Sequence, residues 1–199
     1  MGVAGVFFGV LVGWIIGTQQ ARPSPPAAPS AATSQTSGGT ANAQALPLDE
    51  SRASAMKTTA QQNPTDAVTR VQLGNMYFDA GRFPEAVDWY EAALKIHPKD
   101  VNVSTDLGIS YYYMNQPDRA LAQFDRSLEI DSGHATTLLN IGIVRAFGKQ
   151  DLKGAAEVWQ KVLVVAPSSE EARAARQALD GLRSAHPDLG IAAPKGQGS

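Results

Sequence analysis

Residues 67–100 read AVTRVQLGNMYFDAGRFPEAVDWYEAALKIHPKD, and the same pattern returns in residues 101–134 and, less regularly, from residue 135. The step between corresponding positions is 34 residues. The positions that keep it are Leu73, Leu107 and Ile141; Gly74, Gly108 and Gly142; Tyr77 and Tyr111; Ala86 and Ala120; Tyr90 and Phe124; and Ala93 and Ser127. A fixed internal period of this length indicates an array of stacked supersecondary units.

The residue types within one period predict two antiparallel helices. Gly108 on the first helix and Ala120 on the second are small, so the two helices can approach closely, and Phe124 fills the neighbouring space. Pro84 and Pro117 suit the first turn of the second helices, where a missing N–H does no harm. The predicted fold class is therefore all-α.

The Leu-Gly-x-x-Tyr, Ala-x-x-x-aromatic and Pro pattern resembles the tetratricopeptide repeat (TPR). The resemblance implies a helix-turn-helix solenoid with about three repeats, at 67–100, 101–134 and 135–169. In the third repeat Arg145 replaces the tyrosine, and later landmarks fall one residue late, which predicts an extra residue in the GKQDLKG turn, residues 148–154.

Flanking helices complete the predicted solenoid. Residues 48–62 read as a preceding single helix, and residues 168–185 read as a polar-faced terminal helix with acidic residues in its first turn. The predicted TPR domain spans residues 48–186, and residues 187–199 are predicted to be a disordered tail.

The first seventeen residues are apolar and carry no charged side chain. A helix of that length rises about 26 Å, close to the roughly 30 Å hydrocarbon core of a bilayer. A basic n-region and an A-x-A-like cleavage site are both missing, so residues 1–20 are predicted to be an uncleaved transmembrane anchor rather than a signal peptide.

Small residues recur at every fourth position of this apolar segment. They are Gly5, Gly9, Gly13 and Gly17. Such a ridge lets a second membrane helix approach closely, which predicts self-association through the ridge, although glycine is also common in membrane helices generally. Residues 21–47 are rich in Pro, Ala and Ser and are predicted to be a disordered linker. We expect a single-pass protein of the bacterial inner membrane with a periplasmic TPR domain, and the charges near the anchor scarcely decide the orientation.

The TPR resemblance implies that the first helices line a concave groove that binds a peptide. The predicted peptide-binding residues are Val71, Asn75, Phe78, Asp79, Thr105, Ile109, Tyr112, Tyr113, Leu139, Ile143 and Phe147. The alternative is that the terminal helix or a neighbouring turn covers part of this apolar strip. Capture of an acidic C-terminus is not expected, because Val71, Asp106 and Thr136 stand where co-chaperone TPR domains carry a base or an amide, and only Asn75 matches.

Other classes of function find no support. The 17 basic and 19 acidic residues give a net charge of −2, which offers no footprint for nucleic acid. The protein has no cysteine, and His97, His134 and His186 lack metal-ligand spacing, so each is expected to be a solvated turn residue and neither metal nor cofactor is predicted. No phosphate loop or nucleophile elbow occurs, and we predict that the protein is not an enzyme.

The expected function is that of a membrane-tethered adaptor that binds a protein or peptide partner. A narrower resemblance adds one alternative. The segment AAEVWQKVLVVAPSSEEARAARQAL, residues 155–179, is similar to the last repeat of membrane-anchored TPR subunits of bacterial cytochrome c maturation, which implies presentation of apocytochrome. A second alternative is a structural self-assembling scaffold.

Overall fold

The structure is a computed structural model, and it describes residues 47–191. Within that range the chain forms eight α-helices and no strand, which confirms the predicted all-α solenoid. The helices are α1 (Glu50–Gln62), α2 (Ala67–Asp79), α3 (Phe83–Ile96), α4 (Val101–Tyr113), α5 (Pro117–Ile130), α6 (Ala135–Ile143), α7 (Leu152–Val165) and α8 (Glu170–Ala185). A single 3₁₀ turn, Pro187–Leu189, follows α8.

Several predictions fall on other parts of the chain. The membrane helix at residues 1–20, the glycine ridge of Gly5, Gly9, Gly13 and Gly17, most of the linker and most of the tail lie outside the described residues. No helix found between residues 47 and 191 is both long and apolar enough to cross a bilayer.

The helices pack as consecutive antiparallel pairs. Helix α2 packs against α3, α4 against α5 and α6 against α7, while α1 lies against α2, and α8 contacts both α7 and α6. These contacts confirm the predicted pairing of two helices within each repeat. One core of buried apolar side chains continues from pair to pair, as nearest-neighbour packing in a solenoid requires.

A glycine on each first helix faces an aromatic ring on its partner helix. A Cβ atom on Gly74 would lie 2.5 Å from Tyr90 Cε1, and one on Gly108 would lie 2.5 Å from Phe124 Cε1. In the third pair the indole of Trp159 lies over Gly142 and donates from Nε1 to the carbonyl of Leu139 at 3.1 Å. The 34-residue glycine spacing thus reflects a steric requirement, repeated once per pair.

The third repeat gains its extra residue inside a helix rather than in a turn. The connections between paired helices are three residues long in every repeat, at 80–82, 114–116 and 149–151. Helix α6 continues as one π-helical turn, Val144–Gly148, in which Lys149 N–H donates to Val144 O at 3.0 Å. The prediction of an insertion in the GKQDLKG turn was wrong, because the wider π turn absorbs the residue and leaves the turn geometry unchanged.

Polar residues 34 positions apart stand immediately before the first helices. The side chains of Asp66 and Asp100 accept hydrogen bonds from the first turns of α2 and α4. The third position is His134, whose side chain makes no such cap. The imidazole ring of His134 instead contacts residues of the second and third repeats.

Candidate functional site

The first helices α2, α4 and α6, with the π turn that extends α6, together form the surface that we call the first-helix face. The predicted peptide-binding residues all belong to it, but their exposure differs. Asn75 is exposed, and the half-buried positions are Val71, Phe78, Asp79, Tyr112, Tyr113 and Phe147. The first two repeats therefore contribute most of the accessible side chains.

Four predicted binding residues are buried. Thr105, Ile109, Leu139 and Ile143 are 0%, 9%, 2% and 3% exposed. Thr105 lies against the next first helix, where its hydroxyl is 2.7 Å from that of Thr137, and α8 packs against α6 at the following step. In this conformation the four residues form the floor beneath the face, so their role in contacting a peptide stays a prediction that would require the neighbouring helix to move.

An aromatic strip occupies the end of the face nearest the helix-to-helix turns. It consists of Phe78, Phe83, Tyr112 and Tyr113. The rings of Phe83 and Tyr113 are stacked with centroids 4.7 Å apart, and Phe78 meets both edge-on at 5.3 and 5.5 Å. Tyr112 is tilted against Tyr113 at 6.3 Å. Such offset and edge-on arrangements are favourable beyond simple burial and hold the rings rigid.

The π turn adds the third repeat to the aromatic strip. A Cβ atom on Gly148 would lie 3.3 Å from Tyr112 Cε2 and 3.0 Å from Pro117 Cβ, so a side chain at this position of the π turn would press against the Tyr112 ring. Half-buried Phe147 precedes Gly148. The extra residue of the third repeat therefore shapes the predicted binding surface.

Burial disfavours ionisation of the two strip tyrosines. It raises the pKa of Tyr112 to about 12 and that of Tyr113 to about 12, and Tyr112 adds slightly to the effect on Tyr113. An ordinary tyrosine, with a pKa of about 10, is already neutral at physiological pH, so the shift leaves both hydroxyls neutral there. A neutral phenol hydroxyl can both donate and accept a hydrogen bond.

A polar patch lies beside the aromatic strip. Tyr90 reaches from α3 and donates a hydrogen bond from its hydroxyl to Asn75 Oδ1 at 2.8 Å. Burial raises the pKa of Tyr90 well above its usual value, and the negative charges of Asp106 and Asp79 raise it further. Asp79 belongs to α2 and Asp106 to α4, so carboxylates from two repeats influence the same hydroxyl.

His134 ties the second and third repeats together beneath this face. Its Nδ1 lies 2.7 Å from Thr137 Oγ1, and its Nε2 lies 3.2 Å from Asn102 Oδ1. Partial burial lowers the pKa of His134, while nearby Asp131 and Glu171 oppose the shift. The expectation of a solvated turn residue was wrong for His134, because the missing N-cap leaves its ring to bridge α4 and α6.

Stability should depend on pH through His134. Because its pKa in the folded protein lies below 6.5, the unfolded chain takes up the proton first as the pH falls. The free energy of unfolding should be fully retained above about pH 6.5 and should decrease below it, as urea titrations followed by circular dichroism would measure. His134→Gln should flatten this decrease, whereas exposed His186→Gln should leave it unchanged; an unaltered pH profile in His134→Gln would contradict the assignment.

Sequence reasoning did not include Phe83 in the site. It begins a second helix, whereas the binding residues were sought on first helices alone. The available signal was its position directly before Pro84, which places the ring at the same turn as Phe78.

A cleft of about 450 Å³ also opens on the side of the second helices, and it was not predicted. Its floor includes buried Ser104 and Gln123, joined by a hydrogen bond of 2.8 Å, and its rim includes Lys95 and Arg126. Ser104 stands where the third repeat has Leu138, so a small side chain leaves the space open.

Residues 47–191 hold no group of three histidine, aspartate or glutamate side chains that could bind a metal ion. The chemistry that this surface supports is non-covalent recognition by rigid aromatic rings, amide groups and carboxylates.

Comparison with models of known protein families assigns the repeats to one family. Two models of the tetratricopeptide repeat match residues 65–133 and 105–172, and together they span more than half of the chain. Neither describes an enzyme.

Curated relatives are distant and much longer. The chain is 28% identical over 109 residues to BBSome complex member BBS4 of Bos taurus and 28% identical over 121 residues to Hsp70-Hsp90 organizing protein 3 of Arabidopsis thaliana. These alignments cover 55% and 61% of the chain but only 21% and 20% of the relatives. The chain therefore spans about a fifth of their length.

Solved structures share the fold at low identity. The crystal structure of MamA superposes with a TM-score of 0.59 at 17% identity, covering 70% of this chain and 83% of MamA. The first TPR of Spaghetti (RPAP3), solved with the HSP90 peptide SRMEEVD, superposes with a TM-score of 0.54 at 22% identity, covering 64% and 96%.

Proposed function

Because the chain belongs to the tetratricopeptide repeat family, we propose that it is a membrane-tethered adaptor that binds a polypeptide partner through its first-helix face. Proteins of this family are generally non-catalytic adaptors or scaffolds, and one of similar fold was solved with a bound peptide. The protein-binding part of the proposal thus has support from relatives.

The observation that carries the proposal is the aromatic strip. Phe78, Phe83, Tyr112 and Tyr113 are rigidly packed on one another yet only half-buried. Rigid aromatic groups on a surface lose little conformational entropy on binding and dominate the energy of many interfaces. The adjoining side-chain amide of Asn75 accepts from Tyr90 through Oδ1 and carries N–H donors of the kind that bind a peptide backbone.

Site-specific photo-crosslinking tests the proposal in cells. A photoreactive residue at Val68, which is 66% exposed on α2, should capture the partner. The same residue at exposed Asp125, on second helix α5, serves as the control and should capture much less. Equal capture at the two positions, or capture at Asp125 alone, would argue against binding at the first-helix face.

The membrane tether is proposed on the sequence alone. The charge-free apolar segment at residues 1–17 supports an anchor, and the composition of residues 21–47 supports a linker that holds the repeats away from the bilayer. We place the protein in the bacterial inner membrane with a periplasmic repeat domain. Full-length protein should resist carbonate extraction from membranes, and a mature protein that begins at or after Thr18 would rule the tether out.

Two alternatives, presentation of apocytochrome and a self-assembling scaffold, remain predictions. None of the relatives named above is named for cytochrome maturation. Unchanged c-type haem staining in a deletion strain would remove the first alternative. A monomeric full-length protein in detergent would remove the second.

A further inference from the structure

The cleft on the side of the second helices is lined by three helices. Helices α3 and α5 form its walls, and α4 lies behind them. Its volume of about 450 Å³ is typical of a ligand pocket. Aliphatic side chains contribute to the lining, through Leu94 on α3, Leu107 on α4 and Ile130 on α5, and Ile130 is 36% exposed. The cleft is therefore large enough, and apolar enough, to hold part of a second molecule.

Polar side chains form the floor of this cleft. Ser104 and Gln123 are 2% and 7% exposed, and Gln123 Nε2 donates to Ser104 Oγ at 2.8 Å. Fully buried Ser127 lies beneath them, with its hydroxyl 2.8 Å from Ser104 Oγ. Burying polar groups costs free energy unless each of them finds a hydrogen-bond partner. A polar floor is therefore a costly choice for a site between packed helices.

The third repeat has apolar residues at the same three positions. The counterparts of the floor residues lie 34 residues later before the π turn and 35 residues later after it, and they are Leu138, Val158 and Val162. Leu138 and Val162 are 2% and 0% exposed, and Val158 is half-buried. The fold thus accommodates a filled, apolar version of this site, and packing between repeats does not require the polar floor.

One end of the Gln123 carboxamide has no partner. Its Oε1 accepts no hydrogen bond from the part of the chain that the structure describes. The atom stays open to solvent, because Arg183 Nε is the single side-chain atom between residues 47 and 191 that is both enclosed and unpaired. Since Gln123 is otherwise buried and lines the cleft, that opening runs through the cleft. The carboxamide therefore presents a free acceptor to a molecule bound there, and it also carries a second N–H proton.

The charges around the cleft cancel. Lys95 and Arg126 contribute two cations, and Glu91 and Glu129 contribute two carboxylates. Glu91 accepts a hydrogen bond from the Tyr111 hydroxyl at 2.8 Å, and the other three form no ion pair within residues 47–191. A ligand with a large charge of either sign would meet repulsion as well as attraction. The complementary ligand is neutral and offers both donors and acceptors.

From the unpaired carboxamide, the aliphatic lining and the balanced charges we infer that this cleft binds a second polypeptide segment, an uncharged stretch with an aliphatic side chain. A backbone N–H of the segment donates to Gln123 Oε1, and the aliphatic side chain packs against Leu94 and Ile130. A peptide amide is neutral and carries one donor and one acceptor, which matches a carboxamide. The inference goes beyond the proposed function, because this segment is distinct from the one that binds the first-helix face, and the protein joins two polypeptides.

Peptide selection tests the inference with full-length protein in lipid nanodiscs. A random decapeptide display library is the probe, and each selected peptide is then measured against variants of both surfaces. Ser104→Leu/Gln123→Val gives the cleft the residues of the third repeat, and Gln123→Met removes the amide with little change in size. Tyr113→Ala alters the first-helix face, and Gln177→Met, on the exposed side of α8, is the matched control.

One class of selected peptides should depend on the cleft. Its members should contain leucine, isoleucine or valine and show no preference for either charge. They should bind about tenfold more weakly to Ser104→Leu/Gln123→Val and to Gln123→Met, and normally to Tyr113→Ala and Gln177→Met. Circular dichroism checks that the variants are folded, and Gln123→Met alone decides the result if the double variant does not fold.

The outcomes separate this inference from the proposed function. Recovery of peptides that depend on Tyr113 alone would overturn the inference and leave the proposed function intact. Recovery of cleft-dependent peptides alone would support the inference while the proposed function fails. Failure to select any peptide that distinguishes the cleft variants would overturn the inference. Loss of self-association in Ser104→Leu/Gln123→Val would also overturn it, because the cleft would then be a contact between copies of this chain.

Discussion

Replacing Gly108 with leucine should lower the free energy of unfolding by about 2–3 kcal/mol, the cost typical of overpacking a well-filled core. Even a Cβ atom at this position would lie 2.5 Å from Phe124 Cε1 and 2.7 Å from Cδ1. Phe124 is fully buried and has little room to retreat, so α4 and α5 would have to separate. The damage would spread to α3 and α6, because neighbouring pairs share interfaces in a solenoid.

Urea and thermal unfolding followed by circular dichroism would measure the loss, with the thermal midpoint falling by roughly 5–10 °C. Gly133→Leu is the matched control. Gly133 lies in the turn before α6, where the nearest atom to an added Cβ is Asp131 Oδ1 at 3.5 Å, so this variant should change stability little. Equal midpoints for natural protein and Gly108→Leu would mean that the repeat register is wrong.

Replacing Tyr113 with alanine should weaken binding of the crosslinked partner by about 2 kcal/mol, or roughly 30-fold. The ring stacks on Phe83 and meets Phe78 edge-on, so its removal takes away the centre of the aromatic strip. Tyr113→Phe keeps the ring packing and should lose much less. Titration calorimetry at matched folded fractions would separate lost binding from lost stability.

Lys95→Ala is the control for that experiment. Lys95 is exposed on α3 and lies at the rim of the cleft on the side of the second helices, here called the outer cleft. This cleft is the alternative binding surface that the experiment must exclude. Isolated surface charges contribute little, so the variant should bind normally. If Lys95→Ala loses as much affinity as Tyr113→Ala, the outer cleft becomes the better candidate for the binding site.

The parts of the fold that repeat were predictable from sequence. Gly108 and Phe124 recur with the 34-residue step because the steric demand recurs, and the register of three helical pairs follows from such positions. Pro84 and Pro117 fall in the first turns of α3 and α5, as expected from their missing N–H groups. The residues within one 34-residue period are therefore enough to specify one pair of helices.

What depends on contact between repeats was less predictable. Thr105 occupies a position whose counterpart Val71 is only half-buried, and its full burial comes from α6, which no pattern within its own repeat encodes. The bridging role of His134 likewise requires Thr137 and Asn102 from two helices. The π turn was missed because an inserted residue gives the same sequence offset in a helix as in a turn.

The candidate site was predicted only in part, because some of its contacts also form between different helices and repeats. The TPR resemblance placed Phe78, Tyr112 and Tyr113 together on the first-helix face, where their rings do meet. It could not include Phe83, which joins them from a second helix, or reveal that Asp79 and Asp106 share Tyr90. These associations arise from tertiary packing between α2, α3 and α4.

Oxidative footprinting of full-length protein with and without its crosslinked partner tests the central claim most directly, because it reports which side chains lose contact with solvent. Binding at the first-helix face predicts that oxidation of Phe78 and Tyr113 decreases when the partner is bound. Trp89, which is half-buried on second helix α3, should be oxidised to the same extent in both states. Protection of Trp89 with no change at Phe78 and Tyr113 would contradict the account.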